Sequence, residues 1–194
     1  MSTFSNRRSI LTIGLIALVS LLPFRAFGAA LNSNTASVTL TATMPESLTV
    51  SATPSGVTFN LVQNGTAAAS LPIAITTSWV FLTTRGNIQL DGYFASAASA
   101  LTDGLSTPDL IPTSAVLGQM TTGIPTAYTA FTSTLTDGLG SAGAGLELFT
   151  VALSAANREV SRTDNLNLEI NTTSLPQLPA GTYTGTLTLQ AQAL

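Results

Sequence analysis

Histidine, cysteine and lysine are all missing from this 194-residue chain, and only 8% of its residues are charged, against roughly a quarter in an average soluble domain. Each absence removes some chemistry. Without His there is no side chain that titrates unperturbed near neutral pH to serve as general acid or base. Without Cys or Lys there are no thiolate nucleophiles and no Schiff bases, and without Cys and His no soft-metal site. Serine is common, but no His or Lys is present to activate it. The lack of Cys also means that, even in an oxidising compartment, no disulfide can staple the fold, so packing must hold it. An apolar fraction of 45% is enough for a core, and the length suits one domain.

What charge there is sits unevenly. Arg7 and Arg8 precede the apolar run Ile10 to Leu22, which is followed by Pro23 and small residues. This is the pattern of a secretory signal over residues 1–30, cut after Gly28 or Ala30. The run is too short for a spanning helix, which needs about 20 apolar residues, so no membrane span is expected after cleavage. The Asn6-Arg7-Arg8-Ser9 stretch is also similar to a twin-arginine signal, but the strongly apolar run favours the unfolded export route. Beyond the signal, Arg85, Arg158 and Arg162 stand against nine acidic residues, a net charge of −6. Nucleic acid and anionic lipid are therefore unexpected partners.

The recurring signal in the exported part is period two. In SVTLTAT, Val38, Leu40 and Ala42 share one face, continued by Met44, with Ser37 and three threonines opposite. After Pro45 and Glu46 the alternation resumes at Leu48, Val50 and Ala52. Further strands are expected over 57–62, 71–77, 79–82, 87–94, 146–153, 165–170 and 182–193, with threonine, a good strand former, on the outer faces. Turn signals separate them: Thr53-Pro54-Ser55-Gly56, Asn64-Gly65, Arg85-Gly86-Asn87 and Pro179-Ala180-Gly181. No helical periodicity runs as long. The pattern predicts an all-β protein, an antiparallel β-sandwich of immunoglobulin-like type.

The stretch 95–145 is rich in Ala, Ser and Gly, and Leu-Thr-Asp-Gly-Leu occurs at both 101–105 and 135–139. Asp-Gly favours tight turns. A calcium loop would need more carboxylates than the one in each copy. The glycines at 138, 140, 143 and 145 lack the following Lys of a phosphate-binding loop. Asn64-Gly65-Thr66 and Asn171-Thr172-Thr173 match glycosylation acceptors, a tripeptide frequent by chance. Glu147 and Glu169, carboxylates on expected strands, are the candidates for a glycosidase pair, and both read better as solvent-facing strand residues. Trp79 could stack on a sugar, or fill the sandwich core. The reading is of no catalytic residue, no metal and no cofactor.

The two ends carry the remaining information. The lead ASVTLTATMPESLTVSA at 36–52 and the ending PAGTYTGTLTLQAQAL at 179–194, placed after a signal peptide and around a β-rich middle, resemble the pilin subunits of chaperone–usher pili. The likeness is to the cysteine-free major subunits of α-type fimbriae and, more loosely, to spore-coat-protein-U-like pilins. In that family an immunoglobulin-like sandwich lacks one strand, and its groove is filled first by a periplasmic chaperone and then by the N-terminal extension of the next subunit, delivered through an outer-membrane usher.

The resemblance implies that residues 31–44 form an extension or donor strand, with Val38, Leu40, Ala42 and Met44 entering a neighbour's groove. It places Tyr183, Leu187 and Leu189 on the edge strand beside the groove, within a sandwich domain over 45–194. Self-association into a surface filament (pilus or fimbria), with a role in cell adhesion, would follow. The chain departs from the family in its length and in the Gly-rich segment 138–145, and no second, adhesive domain is evident. Two readings stay open: this structural subunit, and a monomeric exported binding module, for polysaccharide for example, in which 36–44 folds back as the first strand of its own sheet.

Overall fold

The computed structural model describes residue 31, residues 33–136 and residues 138–194; the export signal expected over residues 1–30 lies outside them. Contacts divide the chain between Ala42 and Thr43. The described part of the leading unit has no secondary structure, and its side chains are exposed.

The following unit is an antiparallel β-sandwich, and no α-helix occurs among the described residues. Its strands are β1 (Ser47–Thr53), β2 (Thr66–Ala68), β3 (Ile73–Val80), β4 (Asn87–Tyr93), β5 (Leu101–Thr102), β6 (Leu110–Ile111), β7 (Val116–Met120), β8 (Thr129–Ala130), β9 (Gly145–Ala152), β10 (Glu159–Asn171) and β11 (Thr188–Ala193). One sheet runs β1-β3-β10-β7-β8, with β2 also paired to β10; the other runs β11-β4-β9, and β5 and β6 form a short hairpin.

Alternation decides which face is buried. Along β3, Ile73, Ile75, Thr77 and Trp79 point inward and the residues between them outward. On the outer face, hydroxyls take the place of charges: Thr76 meets Thr163 at 2.8 Å and Ser78 meets Ser161 at 2.7 Å, both directly cross-strand. Between the sheets Phe131 is wholly buried, its ring edge-on to Phe94 at 5.3 Å. It fits because both sheets leave a gap for it. A Cβ on Gly92 of β4 or Gly118 of β7 would lie 3.1 Å from the Phe131 ring.

Several expectations are corrected. The segments 71–77 and 79–82 form one strand ending at Val80, because the hydroxyls of Thr76, Thr77 and Ser78 do not interrupt the ladder to β10. Strand β10 begins at Glu159 rather than 165, since Arg162 and Asp164 occupy inward positions normally filled by apolar residues. The segment 57–62 makes only an isolated bridge, Phe59 to Ala69, and 182–187 only one, Thr184 to Thr102. The middle is not loop alone: β5 to β8 lie there. Trp79 fills the core, with its indole N–H donating to the Asn157 carbonyl at 2.9 Å.

Arg162 and Asp164 form a partly buried unit between the sheets. The guanidinium donates from Nε and Nη2 to the carboxylate at 2.5 and 2.6 Å and lies over the Phe149 ring at 4.3 Å. The Thr122 hydroxyl donates to the same carboxylate. Burial pushes the Asp164 pKa up, but the hydrogen bonds from Arg162 and Thr122 and the attraction of the guanidinium outweigh it and hold the pKa below the usual carboxylate value.

Candidate functional site: a groove between the sheets

The two lateral sides of the sandwich are finished differently. On one, the segment 121–135 covers the edges: Ile124 N–H donates to Leu148 O, Thr121 N–H to Asn165 O, and Ser133 and Gly145 exchange both of their backbone bonds. On the other, β1 ends its sheet and β11 ends the opposite sheet. There β1 and β11 pack together. Beyond Thr53 the chain reaches Pro54, which has no N–H to donate to a ladder, and the two edges part.

A groove of about 790 Å³ opens there. Val57, Phe59 and Leu61 turn inward along one bank, with the polar Thr58 and Asn60 exposed between them. Tyr183, Leu187 and Leu189 line the other. The floor is core: Ile73, Phe94, Val116, Leu168 and Ile170. A second hollow of about 220 Å³ continues it past Leu61 and Tyr183 to Leu178.

The bank formed by the terminal stretch carries, among the described residues, backbone facing the groove as well as apolar side chains. Thr184 exchanges two 2.9 Å bonds with Thr102, and Leu194 accepts from Asn87 and donates back to it. Even-numbered residues of this terminal stretch therefore face β4 and β5. Because the N–H and C=O of successive strand residues point to opposite edges, Tyr183, Gly185, Leu187 and Leu189 present theirs to the groove. An apolar trough flanked by such a row is a template for one more strand.

Around the groove mouth, Tyr183 donates its hydroxyl to Pro179 O at 3.0 Å. Desolvation and the carboxylates of Asp109 and Asp103 raise its pKa, so the phenol remains a donor. The opposite pole of the sandwich is polar. There Glu46 accepts from Leu82 N–H at 2.9 Å and pairs with Arg85, which also donates to Ala193 O. These bonds, that with Arg85 foremost, lower the Glu46 pKa. Arg158 donates to Arg85 O, and Gly86 N–H to Leu194 O.

Of the residues singled out by sequence, Tyr183, Leu187 and Leu189 come together on one bank. Val38 and Leu40 are 82% and 90% exposed, Met44 is 71% exposed, Ala42 is exposed too, and all four lie outside any strand. Glu147 and Glu169 lie on separate sheets, and Glu147 accepts from Thr150. No cluster of three or more metal-ligating side chains occurs among the described residues. Sequence reasoning missed the bank Val57–Leu61 as a groove wall, although its alternation and the preceding Pro54 were visible. No family model, no curated protein and no solved structure matches this chain.

Proposed function

We propose that this chain is a structural subunit of a surface filament, assembled by strand donation between copies of an immunoglobulin-like sandwich that lacks one strand. The observation that carries the reading is the groove, with an apolar floor and the backbone row of Tyr183 to Leu189 facing it. Exposed Val38, Leu40, Ala42 and Met44 supply the complementary alternation. Burying Val, Leu and Met side chains is worth roughly 1.5–3 kcal/mol each, and their exposure in a single copy favours burial elsewhere. On this reading a periplasmic chaperone holds the groove before assembly, and an outer-membrane usher passes the subunit outward. Catalysis has no part in it.

The groove's volume falls within the 300–1,000 Å³ typical of small-ligand sites, so size does not favour a strand over a ligand. Chemistry does. A small-ligand site has a few convergent polar side chains, whereas the feature that runs along this groove is a backbone row over an apolar floor. Trp79, the aromatic side chain considered for stacking on a sugar, is in the core with its N–H already engaged.

The test is deletion of residues 31–44. The shortened chain should keep a folded, β-rich body that binds a synthetic peptide of residues 36–44, while the full chain forms linear polymers visible by electron microscopy and the shortened one does not. Loss of the folded body, or unchanged polymers, would refute the proposal.

A further inference from the structure

We propose, independently of the filament reading, that Thr150 and Gln89 are the two ends of an internal ester bond. The Thr150 hydroxyl displaces ammonia from the Gln89 side-chain amide and ties β9 to β4 covalently.

The ladder places the two groups side by side. Leu153 N–H donates to Gly86 O, whereas Asn87 and Leu194 exchange both of their backbone bonds. Even-numbered residues of β4 therefore bond to β9 and odd-numbered ones to β11. Gln89 and Thr150 are directly opposed, so theirs is a non-hydrogen-bonded position, where Cα atoms are about 4.5 Å apart and side chains come closest. Both lie on the outer face of the sheet, since Ile88 and Leu90 on either side of Gln89 are wholly buried. A bulge adds a second rung. The pairing steps from Leu90 with Phe149 to Asp91 with Glu147, which leaves Leu148 as the extra residue and brings Glu147 and Thr150, three apart, onto one face.

Hydrogen bonds turn both reactive groups towards that second rung. Gln89 Nε2 donates to the two oxygens of Asp91 at 2.9 and 3.1 Å, and Thr150 Oγ1 donates to Glu147 Oε1 at 2.7 Å. Both side chains lean the same way along adjacent strands, which keeps hydroxyl and amide together. Although on the outer face, Gln89 is only 9% and Asp91 only 1% exposed. Gly140 lies against Tyr93, the next outward residue of β4, so closely that a Cβ there would be 2.7 Å from the Tyr93 ring.

Each group then has a task. Glu147 takes the hydroxyl proton as Thr150 Oγ1 attacks Gln89 Cδ, while Asp91 holds the nitrogen that will leave. The C–N bond breaks, the nitrogen receives the proton from Glu147, and ammonia departs. One C–O bond replaces one C–N bond, and nothing is oxidised or reduced. Opposed side chains on a fixed ladder favour the hydroxyl over bulk water as the nucleophile. The step occurs once per chain, a self-modification rather than turnover. Its product clips residue 89 to residue 150 and restrains the unfolded chain as a disulfide would, in a protein that has no cysteine to form one.

Denaturing intact-mass spectrometry of the full exported chain tests this. The mass should fall below that of the sequence by one ammonia, about 17 Da, in the unsubstituted chain and in Thr150→Ser, which keeps a hydroxyl. Thr150→Val and Gln89→Met should show the full sequence mass, and Glu147→Gln should leave most chains unlinked. Chymotryptic peptides bearing Gln89 and Thr150 should stay joined until hydroxylamine cleaves the ester. An unmodified mass in the unsubstituted chain would overturn the proposal, as would an ammonia loss that survives Thr150→Val. Conversion of Gln89 to glutamate would identify water as the nucleophile and overturn it too.

Discussion

Supplying the missing strand within one chain should convert the subunit into a closed, more stable monomer. Leu194 lies at the Glu46 pole, so a strand appended after it turns back and runs down into the groove antiparallel to β11. To enter the groove the appended strand must reach the level of Leu189, five residues back, or about 17 Å along the strand, a span that roughly six to eight Gly/Ser residues cover. Within the groove, each backbone hydrogen bond contributes about 0.5–1.5 kcal/mol net, and ordering costs about 1–2 kcal/mol per residue. With up to two bonds per groove-facing residue these terms roughly offset each other. Burial of the Val, Leu and Met side chains remains, at about 5 kcal/mol after allowance for a compact unfolded state. For a domain of this size 1 kcal/mol moves Tm by about 2–4 °C. The complemented chain, lacking residues 31–44 at its start, should therefore melt about 10–20 °C higher than the same body without the appended strand. Differential scanning calorimetry measures this, and size-exclusion chromatography should show a monomer. Unchanged Tm, or a gain that survives Leu40→Asp in the appended copy, would refute the reasoning.

Three further outcomes test the fold that holds the groove. Gly118→Ala places a methyl 3.0 Å from Leu146 and 3.1 Å from Phe131, and should cost about 1–3 kcal/mol in urea unfolding. Thr77 buries a hydroxyl that has no hydrogen-bond partner among the described residues, so Thr77→Val should be neutral or stabilising by about 1 kcal/mol, measured the same way. The folded-state pKa of Asp164 is depressed, so its contribution is complete above the unfolded value of about 3.9 and disappears as pH falls through the lower folded value. Asp164→Asn should flatten that acid limb of the stability curve and lower stability at pH 7 by about 2–3 kcal/mol, because Arg162 loses its partner. Urea melts from pH 2 to 7 would check both effects.

Much of the sandwich is legible in the sequence because a half-buried strand writes its own alternation. Ile73, Ile75 and Trp79, or Leu166, Leu168 and Ile170, point inward by parity alone, and all are in the core. Two of the misses share one cause. Alternation reports which side chains could be buried, whereas a strand also needs a partner for its backbone. Segment 57–61 alternates as well as β1 does, yet it makes a single bridge. The expected strand at 37–43 likewise has no ladder, although its pattern is the clearest in the chain. Arg162 and Asp164 hid the first half of β10 because their mutual pairing lets charge occupy inward positions, a contact that parity cannot foresee.

The sequence by itself determined the fold class, through period-two burial and a lack of helical periodicity, and it narrowed the chemistry by omitting His, Cys and Lys. Only the tertiary structure decided that β1 and β11 end the two sheets on the same side and part beyond Thr53. The physical reason is that an edge is defined by the strand that is not there, and which strand is missing depends on pairings between residues far apart in the chain.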